Sequence, residues 1–168
     1  MKKVRVLFVC LGNICRSPLA EAIFRHKIRQ RGLDDIVEAD SCGTSNYHIG
    51  SPPDQRTIAN ATRNGIAIDH CGRQLHADDL KMFDHILAMD KTNFQNILRL
   101  PGSEAFASKV KMMRDYDPLH HGAGVPDPYH GGEKGFQEVF EILDRSVGQF
   151  IDALELSPKK PGNRQVDA

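Results

Sequence analysis

The chain has 168 residues, the length of one ordinary domain and enough to bury a core without disulfide or metal staples. Lys plus Arg equal Asp plus Glu at 22 each, so no overall field draws it to nucleic acid or an acidic membrane, and charge recognition must be local. The opening apolar run is too short for a signal-peptide core and no segment holds about 18 uninterrupted apolar residues, so the expectation is a soluble, cytoplasmic protein with no membrane insertion. Four cysteines, Cys10, Cys15, Cys42 and Cys71, are then expected as free thiols, with Cys42 and Cys71 as ordinary buried ones.

Val4 to Val9 is a short apolar run rich in β-branched residues, which predicts a strand buried on both faces of a parallel sheet. After the turn "CLGNICR", Ser17 and Pro18 read as an N-cap and first helical residue, followed by Ala20, Ile23, Phe24 and Ile28 at helical spacing and by Gly32 as the stop. The alternation continues with a strand at Ile36 to Ser41, a helix at Asp54 to Asn64 stopped by Gly65, and a strand at Asp84 to Met89. A helix over Lys91 to Leu100, a strand at Lys109 to Met113 and a long amphipathic helix over Gly135 to Leu156 complete it. This succession predicts an α/β layer fold with a parallel sheet, one domain over residues 1–157 and a disordered polar tail at 158–168.

Two stretches fall outside these elements, residues 43–53 and 114–135. The second is long for a compact domain, and loops of that length tend to be functional. In open parallel sheets ligands bind beyond the carboxyl ends of the strands, where the opening turn and both stretches should meet.

The turn itself carries chemistry. Gly12 and Asn13 tolerate positive φ, so successive amides can point inward and add to the positive end of the helix starting near Ser17. The result is a cradle for a phosphate-sized dianion. A thiol inside it, Cys10, should ionise well below the free value of about 8.5 and act as a nucleophile. Arg16 offers a planar fork for two phosphoryl oxygens, and Ser17 can cap the helix, donate to the Cys10 sulfur, or both. A leaving phenolate or alkoxide needs a proton, and Asp127, held between two prolines in the long loop, is placed to give one. The reaction is then double displacement through a phosphocysteine, with no metal and no cofactor required.

The run "VLFVCLGNICRSPLAEAIF" together with the distal "DPY" resembles the low-molecular-weight protein tyrosine phosphatases, over nearly the whole chain from Val4 to about Leu156. The resemblance implies a four-stranded parallel sheet with helices on both faces in three layers, and a phosphate loop between the first strand and the first helix. It implies Cys10 as nucleophile, Arg16 as phosphate clamp and Asp127 as general acid and base, with Leu11, Gly12, Asn13, Ile14 and Cys15 completing the loop. Asn13, Ser17, Ser41 and His70 match positions that hold the loop in shape, and Cys15 matches a second cysteine that can trap an oxidised Cys10 as a reversible disulfide. Tyr47 and Tyr129 match the walls of a slot for the phosphotyrosine ring. Ile14 accompanies tyrosine specificity, where relatives acting on phosphoarginine carry threonine. His130 stands where the family often has a second tyrosine, a departure that bears on regulation by phosphorylation there and on leaving-group preference. The implied partners are phosphotyrosine-containing proteins, and acid phosphatase activity on small aryl phosphates is implied with them.

Two other functions use the same residues. Arsenate mimics phosphate, but a thioredoxin-coupled arsenate reductase needs further cysteines downstream, and Cys71 is the last; a glutathione-coupled version stays open. A module that binds phosphorylated partners without turnover would be expected to lack the nucleophile or the acid, yet Cys10, Arg16 and Asp127 are all present. His120, His121 and His130 match no common zinc spacing, and "GAG" at 122–124 fails the dinucleotide fingerprint. Oligomeric state is not legible.

Overall fold

A computed structural model describes residues 2–158. Strand β1 (Val4–Cys10) lies between β2 (Val37–Gly43) and β3 (His85–Ala88), and β4 (Val110–Met112) pairs with the outer side of β3. All pairings are parallel, running from Val4 against Val37 to Cys10 against Gly43 on one side of β1 and from Val6 against His85 to Val9 against Ala88 on the other. The strand order β2-β1-β3-β4 changes direction between β1 and β3, so the crevice at their carboxyl ends is the topological switch point of the sheet. The Cys10 end of β1 opens into it.

Period-two alternation along β1 divides the core. Val6 and Phe8 face helices α1 (Arg16–Gln30) and α5 (Glu133–Ala153), where Phe8 meets Phe24 edge-on at 5.5 Å and Phe24 meets Phe150 at 6.0 Å. Leu7 and Val9 face the opposite layer, built by α3 (Ala77–Met82) and α4 (Lys91–Leu98) through Leu80, Phe83 and Ile97. Helix α2 (Gln55–Arg63) adds Ala61 to the α1/α5 side. Fully buried side chains of this size contribute about 1.5–3 kcal/mol each, which makes β1 the energetic spine as well as the support of the loop that follows it. Among the described residues no helix is long and apolar enough to cross a membrane.

The expected α/β alternation is present with shifted ends and three additions. α2 begins after Asp54, whose carboxylate accepts from the Arg56 amide at 2.9 Å, and stops at Asn64 and Gly65, the latter at φ 79°. α4 ends at Leu98, two residues short of expectation, and α5 spans Glu133–Ala153 rather than Gly135 to Leu156, so the long loop is shorter than 114–135 at both ends. Its first residues form a 3₁₀ turn (Met113–Tyr116), a second such turn (Ser103–Lys109) precedes β4, and α3 is a six-residue helix whose cap is made by His76 and Asp79, a pairing with no strong sequence signal.

Two residue assignments change. α1 starts at Arg16 with Cys15 at the N-cap position and no side-chain cap, so Ser17 and Pro18 lie inside the first turn; the Ser17 hydroxyl is engaged elsewhere. Cys71 is exposed, because it sits in the connection between α2 and α3 and outside both cores, whereas Cys10, Cys15 and Cys42 are buried; all four thiols are free. The tail expected at 158–168 lies, from residue 159 on, outside the described residues.

Candidate active site

Residues 10–16 wrap around the end of β1 with their carbonyls tied to the outside. The Cys10 carbonyl accepts from the Thr44 amide at 2.9 Å, that of Leu11 from the Ser45 amide at 3.0 Å, and that of Ile14 from the Asp54 amide at 2.8 Å. A planar trans peptide points its N–H away from its carbonyl, so the amides of Leu11, Gly12 and Cys15 face the other way, into the loop. Without a side-chain cap, the first-turn amides of α1 are also free to meet an anion. Gly43 permits this arrangement: a β-carbon there would come within 2.7 Å of the Leu11 carbonyl oxygen, where β2 packs against the loop.

A buried polar chain runs behind the loop. Asn13, held at φ 57°, donates from Nδ2 to Ser17 Oγ at 2.8 Å and to Ser41 Oγ at 3.1 Å. Its Oδ1 accepts from the Arg73 amide at 3.1 Å and from His70 Nε2 at 2.7 Å, and since an amide oxygen only accepts, Nε2 carries the hydrogen. The Ser41 hydroxyl donates to Glu21 Oε1 at 2.8 Å. Ser17, already an acceptor from Asn13, has its own hydrogen for the Cys10 sulfur 3.0 Å away. The chain ends at the Ser17 hydroxyl, whose hydrogen has the Cys10 sulfur at 3.0 Å and the Cys42 carbonyl at 3.4 Å as acceptors.

Burial shifts two of the groups behind it. Glu21 is pushed up from the usual carboxylate range by desolvation, and His70 is pushed down by the same cause. The two approach each other, Nδ1 to Oε1, at 3.3 Å. Glu21, Asp40 and His70 form a group close enough to hold a metal ion, but their donor atoms are already engaged by Arg25, Arg73, Ser41 and Asn13. Among the described residues His120, His121 and His130 form no such group. Cys15 packs with Ile14 and Phe136, and burial pushes its thiol up to about 12.

Across the switch point, Arg16 is only 3% exposed; its pKa is raised, the Cys10 sulfur and Asp90 outweighing the burial that opposes the charge. One terminal nitrogen donates to Asp90 Oδ2 at 2.8 Å and to the Val125 carbonyl at 3.0 Å. The other lies 3.7 Å from Asp127 Oδ2, close but beyond hydrogen-bond range. Asp90 also caps α4 through the Asn93 amide at 2.8 Å. The Val125 amide in turn bonds the Met89 carbonyl at 2.7 Å, which draws the long loop across the end of β3. Its base is fixed by Asp117, which is fully buried between Arg114 at 2.8 Å and Arg145 at 2.9 Å; despite desolvation, bonds from Arg145, the Leu119 amide and Arg114 hold this carboxyl well below the usual range.

These segments enclose a cleft of about 290 Å³. Cys10, Leu11, Gly12, Ile14, Cys15 and Arg16 form its floor, while Tyr47, Asp127 and Tyr129 line it with His48 and His130. Tyr47 is 72% exposed and Tyr129 41% exposed, so they form a rim more than a deep slot. Asn13, Ser17, Ser41 and His70 stand behind the floor, joined by hydrogen bonds. Sequence reasoning missed Asp90, Glu21, Gly43 and the anchors of the long loop. Two had usable signals: Asp90 follows a strand at the switch point and begins a helix, and Glu21 is a charge beside the apolar stripe of α1.

A doubly wound α/β sheet with a cysteine at the centre of an anion loop and a carboxylate across the switch-point crevice defines a cysteine-dependent phosphatase. The profile of low molecular weight phosphotyrosine protein phosphatases matches residues 5–160, and the chain belongs to that family. It is 44% identical over 152 residues to the low molecular weight protein-tyrosine-phosphatase of Streptomyces coelicolor, covering 89% of this chain and 93% of that one. It is 38% identical over 148 residues to the human low molecular weight phosphotyrosine protein phosphatase, covering 88% and 93%. The crystal structure of a protein tyrosine phosphatase from Entamoeba histolytica superposes with a TM-score of 0.87 at 40% identity, over 91% of this chain and 97% of that one.

Proposed function

We propose that this chain hydrolyses phosphotyrosine in proteins, and small aryl phosphates, through a phosphocysteine. The Cys10 sulfur attacks phosphorus and forms the S–P bond as the P–O bond to the aryl group breaks; Asp127 protonates the departing phenolate. Water then attacks phosphorus, Asp127 takes its proton, and inorganic phosphate leaves with the sulfur restored as thiolate. Loop amides and the free edge of the Arg16 fork hold the equatorial oxygens throughout, the Ser17 hydroxyl stabilises negative charge on sulfur, and Tyr47 and Tyr129 flank the ring. The observation that carries this reading is the placement of Cys10 under the Ser17 hydroxyl, with Arg16 between it and Asp127.

Uncharged, partly apolar rim residues support an aryl leaving group, and residues 43–53 contain no Asp, Glu, Lys or Arg. Four free thiols suit a reducing, cytoplasmic setting. Cys15 is our candidate partner for an oxidised Cys10; protonated at neutral pH, it would react slowly.

Rapid acid quench during turnover of an aryl phosphate tests the proposal. A phosphorylated peptide containing Cys10 is expected, and Cys10→Ser should bind the ester without releasing phosphate. Thiol-dependent reduction of arsenate with no phosphoenzyme would favour the reductase instead, and an inert unmutated protein would favour a binding module.

A further inference from the structure

Asp127 is suspended between two fixed points. Upstream, Val125 is tied to Met89 and Arg16. Downstream, the fixing group is Arg56, the second residue of α2, which the mechanism above does not use. It donates to the Tyr129 carbonyl at 2.8 Å and to the Gly131 carbonyl at 3.3 Å. Its guanidinium lies over the Tyr129 ring at 5.6 Å and over Phe136 at 4.7 Å. The same group forms a two-pronged pair with Asp54, Nε to Oδ1 at 3.1 Å and a terminal nitrogen to Oδ2 at 2.9 Å.

That pairing reaches the phosphate loop directly. The Asp54 amide holds the Ile14 carbonyl at 2.8 Å, and Phe136 packs on Ile14 and Cys15. Asp127 closes the circuit on the other side, its Oδ1 accepting from the Tyr129 amide at 3.1 Å. One planar cation therefore spans the base of the phosphate loop and the residue that orients the acid. A guanidinium suits this place because its fork bonds a carboxylate and carbonyls in one plane while its faces stack on rings.

We propose that Arg56 is a positioning residue for proton transfer, setting the distance from Asp127 to the leaving-group oxygen. It rests on the phosphatase reading, and its effect on proton transfer runs through Asp127. The side chain is 46% exposed, so its removal spares the core.

A double-mutant cycle tests this, comparing kcat/KM for phenyl phosphate and for activated dinitrophenyl phosphate in the unmutated protein, Arg56→Gln, Asp127→Ala and the pair. Small displacements of a reacting group can cost up to about 10²-fold, and Arg56→Gln should lose about tenfold on phenyl phosphate. It should lose almost nothing on the dinitrophenyl ester, and nothing further once Asp127 is already Ala. Arg56→Lys should recover part of the loss, and it carries the test if Arg56→Gln melts near assay temperature. Equal losses on both esters, or full additivity in the double variant, would overturn the inference and leave the phosphatase reading intact. If the unmutated protein hydrolyses neither ester, the phosphatase reading fails first and takes this inference with it.

Discussion

The phosphate loop and the acid loop are built on opposite plans. Between Cys10 and Ser17 every residue but Leu11 and Gly12 is buried, with Asn13 alone serving four partners. The chain from Asp117 to Gly132 is held at separated points, Asp117, Val125 and the Tyr129–Gly131 carbonyls, and Asp127 between them is 45% exposed. Binding a dianion rewards donors that need no rearrangement, while delivering a proton to a varied leaving group rewards access. Hydrogen bonds are dense around Asn13 and sparse along the segment that carries Asp127.

The largest test of that division removes one member from each side. Asp127→Ala should lower kcat/KM for esters with poor leaving groups by about 10²- to 10⁴-fold and barely affect activated ones. Asn13→Ala leaves buried partners unsatisfied at about 1–3 kcal/mol each and puts a β-branchless but non-glycine residue at positive φ. Its loss, about 10- to 100-fold, should be the same for every leaving group. If Asn13→Ala showed the leaving-group dependence and Asp127→Ala did not, the two loops would have exchanged roles and the contrast would collapse.

Next in size is the anchor of the acid loop. Asp117→Asn breaks a buried ion pair while leaving two arginines behind, a change worth about 3–5 kcal/mol of stability at pH 7. Because the folded carboxyl is held well below its unfolded value of about 3.9, this stabilisation is present above that pH and is lost as pH falls toward the folded value. Melting curves of the two proteins should therefore stand apart at pH 7 and converge below about pH 4. A constant gap across that range would mean that packing, not charge, holds the base of the loop.

The same contrast explains what could be read in advance. The phosphate loop is legible because its parts are neighbours: strand, Gly12 and Asn13, then Arg16 and a helix, all within one short run. Asp127 was legible as a proline-flanked acid in a long loop. Its supports were not, because Arg16 reaches Val125 across 109 positions, Arg56 reaches Tyr129 across 73, and Arg145 reaches Asp117 across 28. Such bonds leave no local pattern. Ser17 misled for a related reason: a serine before a helix reads as a cap by local rule, yet tertiary partners claimed its hydroxyl and left the helix end open for a ligand.

The smallest effect belongs to the rim, where neither plan applies. Tyr47 is 72% exposed and lines the cleft opposite Tyr129, so it contributes ring contact to a bound aryl group and little to the fold. Aromatic pairs of this kind are worth about 0.5–1.5 kcal/mol, so Tyr47→Ala should raise KM for aryl phosphates by about 2- to 13-fold. kcat and the melting temperature should stay where they are, because among the described residues no side-chain hydrogen bond joins Tyr47 to Cys10, Arg16 or Asp127. Alkyl phosphates, which offer no ring, should show no change in KM. A fall in kcat instead would tie Tyr47 to the chemistry, and the rim would then belong with the fixed loop behind it.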